Sequence, residues 1–220
     1  MGLIQWDKDL LVSLNSHHSE FWDGFMWMAT DEISWMAFFA ILLYLIYKQK
    51  GRQIFLVVIA IALTVLVCDQ VSGLFKDWIA RPRPSREPDI MNKLHIVNNY
   101  RGGRYGFFSS HAANTFGIAV LISLLLRHWL VTSILLVWAA LESYSRIYLG
   151  VHYPLDILTG IAFGIITGFL VYKLYQKVSK RFLFSSKKNS NIPINSLLLV
   201  FLTTLFMMAI GAKTINTFLL

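Results

Sequence analysis

Charge is scarce in this chain: only 15% of its 220 residues are Asp, Glu, Lys or Arg, 56% are apolar, and the mean hydropathy is +0.56. A water-soluble domain carries about a quarter of its residues charged. The deficit therefore excludes an ordinary soluble fold and leaves apolar surface to face lipid. Cysteine is nearly absent too. Cys68 is alone in an apolar run and has no intramolecular disulfide partner, so the redox compartment is unreadable. The basic start and small-residue cleavage site of a signal peptide are missing, as is any internal repeat. Metal-ligand spacings such as His-Glu-x-x-His or an acidic cluster are also missing, so no metal or other cofactor is expected. A net charge of +8 would suggest nucleic acid in a soluble chain. In a membrane chain it asks instead which side holds the positives, and no nucleic-acid partner is expected.

What is present is a series of apolar runs at 33–47, 54–75, 112–126, 129–141, 157–175 and 197–212. With flanking aromatic and small polar residues each approaches the length a bilayer requires. The fold class read from them is all-α, a polytopic membrane helix bundle of about six transmembrane helices. Residues 1–23 mix Leu3, Trp6, Leu10 and Leu14 with Asp7, Lys8 and Asp9, and read as an amphipathic helix in the interface. The expected organisation is an interfacial segment over 1–23, a catalytic membrane core over 24–180, and a basic linker with a final transmembrane helix over 181–220. The tryptophans are expected at the membrane interfaces.

Short connections force antiparallel neighbours, which assigns each loop to a face. The turns at 48–53 and 127–128 and the tail after 173 fall on one face, A. The N-terminus, the long loop 76–110 and the turn 142–156 fall on the other, B. The long loop carries three of the five prolines and the glycines Gly102, Gly103 and Gly106, which allow it to bend. Loops of that length in compact proteins are usually functional or disordered.

Three separated clusters of ionisable and hydroxyl residues meet on face B. They are Lys76 with Arg83-Pro84; Ser109-Ser110-His111; and Ser145-Arg146 followed by His152 and Asp156. Lys76, Arg83 and Arg146 supply three positive charges, two as planar forks that match phosphate oxygens. Ser109 and Ser110 precede a helix, so their backbone N–H groups and the positive end of its dipole are expected to face the same anion. Pro154 suits the first position of the next helix, which brings Asp156 beside His152. A carboxylate on one imidazole nitrogen leaves the other as a basic lone pair, suited to attack phosphorus. His111, with no carboxylate nearby in sequence, is the candidate to protonate the leaving oxygen.

These residues resemble the type 2 phosphatidic acid phosphatase (PAP2) family, a branch of the group that includes vanadium haloperoxidases and histidine-nucleophile acid phosphatases. The family signature is Lys-x6-Arg-Pro, then Pro-Ser-Gly-His, then Ser-Arg-x5-His-x3-Asp. Lys76 to Pro84 and Ser145 to Asp156 match it, while the middle part reads Phe108-Ser109-Ser110-His111. The resemblance, over residues 20–178, implies a phosphohistidine on His152, orientation by Asp156 and acid catalysis by His111. It places Lys76, Arg83, Ser109, Ser110 and Arg146 on the substrate phosphate and requires no metal.

The implied substrate is a lipid phosphomonoester or diphosphate, with undecaprenyl diphosphate favoured by the compact size. Lipid A, phosphatidylglycerophosphate and phosphatidic acid are the alternatives, followed by phosphate transfer to an acceptor and by lipid binding or transport without turnover. Arg81, Arg86, Arg101 and Arg104 are expected as solvated loop charges, and His17, His18, His95 and His128 as exposed. Glu142 is expected to pair with Arg146, one helical turn on. Face A holds ten of the twenty cations and none of the twelve acids. Setting aside the three cations assigned to phosphate, face A has the larger share, which predicts that it is cytoplasmic and that the site faces outward from a bacterial inner membrane. Oligomeric state is not readable.

Overall fold

A computed structural model describes residues 2–181 and 193–218. The described chain is helical apart from loops. The segment expected as one helix over 1–23 is shared by α1 (Leu3–Asn15) and the first residues of α2 (Glu20–Ala29). The chain breaks between them because the Ser19 side chain caps α2, accepting from the Trp22 N–H. Asp7, Leu11 and Asn15, four residues apart, form the buried stripe of α1.

The apolar helices follow as α3 (Met36–Lys50), α4 (Ile54–Ile79), α5 (Ser110–Leu126), α6 (Trp129–Tyr148), α7 (Pro154–Arg181) and α8 (Asn195–Phe218). Four described stretches are long and apolar enough to cross a membrane: Glu32–Ile79, Trp129–Tyr148, Pro154–Arg181 and Asn195–Thr214. The first contains both α3 and α4, broken at Gly51, whose φ of +55° favours glycine. Gln49 donates to the Leu126 carbonyl and Tyr175 to the Gln53 side chain, so the α3–α4 turn lies against the end of α5 and the A-face half of α7. α3 and α4 are thus antiparallel. α5, at 17 residues, is shorter than the four crossing stretches. Residues 182–192, in the expected basic linker, lie outside the described residues.

The core is aromatic between α3, α6 and α8, where Trp35, Phe38, Trp138 and Phe201 pack ring against ring. Trp35 and Trp138 are therefore buried rather than interfacial, and the Trp35 indole N–H donates to the Ala29 carbonyl, satisfying its polar atom.

A different principle joins α5 to α7. Gly160, Gly164 and Gly168 recur every four residues on α7, and a Cβ on any of them would collide with the backbone of Ser109, Ala113 or Gly117 on α5. Lipid tails are as apolar as leucine, so helix association in a bilayer depends on such close backbone approach. The seam fixes the start of α5 beside the start of α7, where the Ser109 N–H donates to the Asp156 carbonyl at 3.1 Å.

The long loop is folded back on itself over face B. Pro82 and Tyr105 form a β-bridge, the Arg83 N–H donates to the Arg104 carbonyl, and the Gly106 N–H donates to the Arg81 carbonyl. Ser85 and Arg101 exchange side-chain-to-backbone bonds of 2.8 Å. α1 lies on the same face: Asn15 donates to the Tyr148 carbonyl at 2.7 Å and accepts from the His95 N–H at 2.7 Å.

Candidate active site

His152 is 2% exposed, in the turn that leads into α7. Pro154 opens the helix, and Asp156 in its first turn bends back so that one oxygen, Oδ2, accepts from the Tyr153 N–H at 3.1 Å and lies 3.3 Å from His152 Nδ1. Nδ1 therefore carries the proton and Nε2 is left as a lone pair, which accepts from Arg83 Nη1 at 3.0 Å. Burial, and then the positive fields of Arg83, Arg146 and Lys76, hold the imidazole well below the ordinary histidine range. It is neutral at neutral pH, which is the nucleophilic form.

The same fields show that the three cations expected around phosphate surround one imidazole. Arg83 is fixed by its Nε to the Tyr105 carbonyl (3.2 Å) and by Nη1 to the Val151 carbonyl (3.1 Å). Lys76 Nζ donates to the Ser110 hydroxyl at 3.0 Å. Arg146, 6% exposed, donates to Thr30 Oγ1 at 2.6 Å and to the Tyr100 hydroxyl at 3.1 Å, while its buried Nε has no hydrogen-bond partner. Buried polar atoms are seldom left unpaired, and an unused guanidinium N–H in a cationic cluster fits an anion. Gly106 closes the site from the loop: a Cβ there would lie 3.0 Å from Asp156 Oδ2.

Ser109 departs from expectation. Its backbone N–H is committed to the Asp156 carbonyl rather than turned to the anion, and its hydroxyl oxygen accepts from the Ala112 N–H at 3.4 Å as the cap of α5. Only the hydroxyl proton remains for a ligand.

Three partners reverse or extend the sequence reading. Glu142 does not pair with Arg146. Its carboxylate, 5% exposed, lies 3.3 Å from His111 Nε2 and gives that histidine the acidic partner it lacks locally. Arg81 is no solvated loop charge. It bridges Asp156 Oδ1 (3.2 Å) and Asp7 Oδ2 (2.7 Å) and stacks on the Tyr153 ring at 3.7 Å. Asp7, fully buried, also accepts from the Leu155 N–H at 2.9 Å. α1 thus reaches the turn that presents His152. The signal for Asp7 was available in the polar ends of the Asp7/Leu11/Asn15 stripe; for Thr30 and Tyr100 there was none. His95, expected to be exposed, is partly buried, lies 2.8 Å from Asp23 and stacks on His18.

The chain is 42% identical over 179 residues to a lipid A 4′-phosphatase of Bacteroides thetaiotaomicron, covering 80% of this chain and 79% of the relative. Identity to the Porphyromonas gingivalis lipid A 4′-phosphatase is 38% over 186 residues, 84% and 79% of the two chains. A putative undecaprenyl-diphosphatase of Escherichia coli matches at 32% over 161 residues, 70% and 77%. The crystal structure of Aquifex aeolicus LpxE superposes with a TM-score of 0.56 at 26% identity, covering 75% of this chain and 93% of that one. The PAP2 superfamily model matches residues 53–180, which hold all three motifs, and the chain belongs to that superfamily as a membrane phosphatase.

Proposed function

We propose that this protein removes a phosphate monoester from a lipid A-type glycolipid through a phosphohistidine on His152. The supporting observation is the neutral, buried His152 with its Nε2 lone pair turned into three cations, combined with the similarity to two lipid A 4′-phosphatases. The expectation of undecaprenyl diphosphate gives way on substrate, because the relatives of higher identity act on lipid A and the undecaprenyl relative is more distant.

In this reading the phosphate displaces Arg83 from Nε2 and is held by Lys76, Arg83, Arg146 and the hydroxyls of Ser109 and Ser110. Nε2 attacks phosphorus, the P–O bond to the sugar breaks, and His111 gives its proton to the departing oxygen. Glu142, whose carboxylate lies 3.3 Å from His111 Nε2, holds the ring in place for that transfer. His111, now neutral, takes a proton from water as the water oxygen attacks phosphorus, which breaks the P–N bond and releases inorganic phosphate. Three fixed cations stabilise the equatorial oxygens in the transition state. Asp156, itself held by Arg81 and the Tyr153 N–H, fixes the tautomer and orientation of His152. With the three cations assigned to phosphate set aside, face A holds the larger share, which supports a cytoplasmic A face with the site opening outward.

The test is phosphate release by the purified protein in detergent, with chelator and without divalent metal, on lipid A and undecaprenyl diphosphate side by side. Preferential release from lipid A, abolished by His152→Gln, is expected. Preference for the diphosphate would overturn the substrate, phosphate appearing only on an added acceptor would replace hydrolysis with transfer, and unchanged release by folded His152→Gln would overturn the nucleophile.

A further inference from the structure

A second cationic cavity lies at the A-face end of the bundle, opposite His152. It has a volume of about 520 Å3, and Lys50, Arg127 and Lys180 line it together with Gln53, Tyr172 and Tyr175. That volume is in the range of small-ligand sites. None of its lining residues is acidic. The sequence that continues from α7, residues 182–192, contributes two lysines and no acid, so it offers no counter-charge. Lys50 and Arg127 lie close enough to repel each other. Like charges gathered around a cavity with no acid among its lining residues are destabilising unless an anion joins them.

Arg127 adds a second observation. It ends α5 in the left-handed conformation, φ +50° and ψ +46°, a position that glycine normally fills. A non-glycine residue persists there only when its surroundings hold it, and such residues cluster at functional sites. What holds it is a hydrogen bond from its guanidinium to the Tyr172 hydroxyl at 2.9 Å, which directs the side chain along the cavity wall.

The cavity has an apolar neighbour. Tyr175 is a wall common to it and to an apolar groove between α4 and α7, bounded by Ile59, Leu63, Val171 and Leu174. A cationic pocket at a helix-bundle end that adjoins an apolar groove along the helices matches the order of a phospholipid: phosphate above, acyl chain below. A free anion would use only the upper part.

We propose that this cavity and groove bind one anionic phospholipid of the A-face leaflet, with its phosphodiester against Lys50 and Arg127 and an acyl chain between α4 and α7. The lipid is a ligand rather than a substrate, because no histidine lines the cavity or the groove.

The experiment follows lipid binding to the full chain by native mass spectrometry and thermal unfolding, in the His152→Gln background to prevent turnover. The probes are phosphatidylglycerol, zwitterionic phosphatidylcholine and inorganic phosphate. Arg127→Gly removes the guanidinium while supplying the residue that the backbone prefers, so it is the variant least able to fail by misfolding. Lys50→Gln is the second variant. Retained adducts and stabilisation by phosphatidylglycerol are expected, absent with phosphatidylcholine, and weakened about tenfold or more by either variant, as loss of a charge-assisted contact predicts. Arg83→Gln, at the catalytic end, should leave them unchanged. Equal binding of both lipids, full stabilisation by phosphate alone, an effect lost with Arg83→Gln, or undiminished binding in both A-face variants would each overturn the proposal.

Discussion

The two ends of this bundle handle positive charge in opposite ways. At the catalytic end cations and acids interlock: Arg81 with Asp7 and Asp156, Lys8 with Glu87 and Asp89, His95 with Asp23 and His111 with Glu142. At the other end Lys50, Arg127 and Lys180 line a cavity with no acid. Around the buried imidazole Arg83 is held by loop carbonyls and Lys76 and Arg146 by hydroxyls, while the buried Arg146 Nε is left unpaired. Cations at the second end have no acidic partner among the described residues, the arrangement that suits a leaflet of anionic headgroups. Where acids are present, they fix orientation as well as balance charge.

The most severe break in that comparison is at the nucleophile. His152→Gln should lower phosphate release by about 10⁴-fold or more, the scale on which loss of a catalytic nucleophile is felt, and single-turnover assays with radiolabelled lipid should show no phosphoenzyme. Next is the buried acid that only the folded chain reveals. Asp7→Asn leaves Arg81 with one carboxylate instead of two and should cost about 3 kcal/mol, the lower end for breaking a buried pair. Denaturation in detergent would measure it. Turnover should fall with it, whereas Asp9→Asn, on the exposed side of the same helix, should change neither.

A smaller effect is expected at His111. Glu142→Gln keeps the shape of the side chain but removes the carboxylate 3.3 Å from His111 Nε2, so turnover in the phosphate-release assay should drop by about 10- to 100-fold, within the range that acid catalysis contributes. The mildest prediction concerns protons. The folded-state pKa of His152 is depressed below the unfolded value near 6.5, so the unfolded chain binds the extra proton. Its neutral form thus contributes stability fully above pH ~6.5, and that contribution is lost as pH falls from there towards the folded pKa. The melting temperature should decline less steeply below pH 6.5 in His152→Gln than in the parent.

Legibility in the sequence followed distance along the chain. His152 and Asp156 were readable because one turn of helix start, marked by Pro154, brings them together whatever surrounds it. Lys76, Arg83 and Arg146 were readable as a set because antiparallel crossings deliver span ends to one face. Glu142 was assigned to Arg146 for the same local reason, and wrongly. Its true partner, His111, is on a different helix, and only the packing of α5 against α6 decides between the two. Arg81 and Asp7 are separated by 74 positions, and no periodicity links a loop arginine to an interfacial helix. Ser109 shows the reverse failure: its place at the helix start was clear, but the seam diverts its N–H to Asp156.

The glycine seam between α5 and α7 has a consequence for how this scaffold varies. His152 and His111 sit at the starts of two helices that touch main chain to main chain at Gly160, Gly164 and Gly168. Main-chain atoms have no rotamers, so the spacing of the reacting groups is set by parts that side-chain drift cannot retune. Lipid-facing positions are thereby released from the chemistry, and a lineage can exchange one hydrophobic tail for another at leisure while the phosphate-cleaving centre keeps the same gauge.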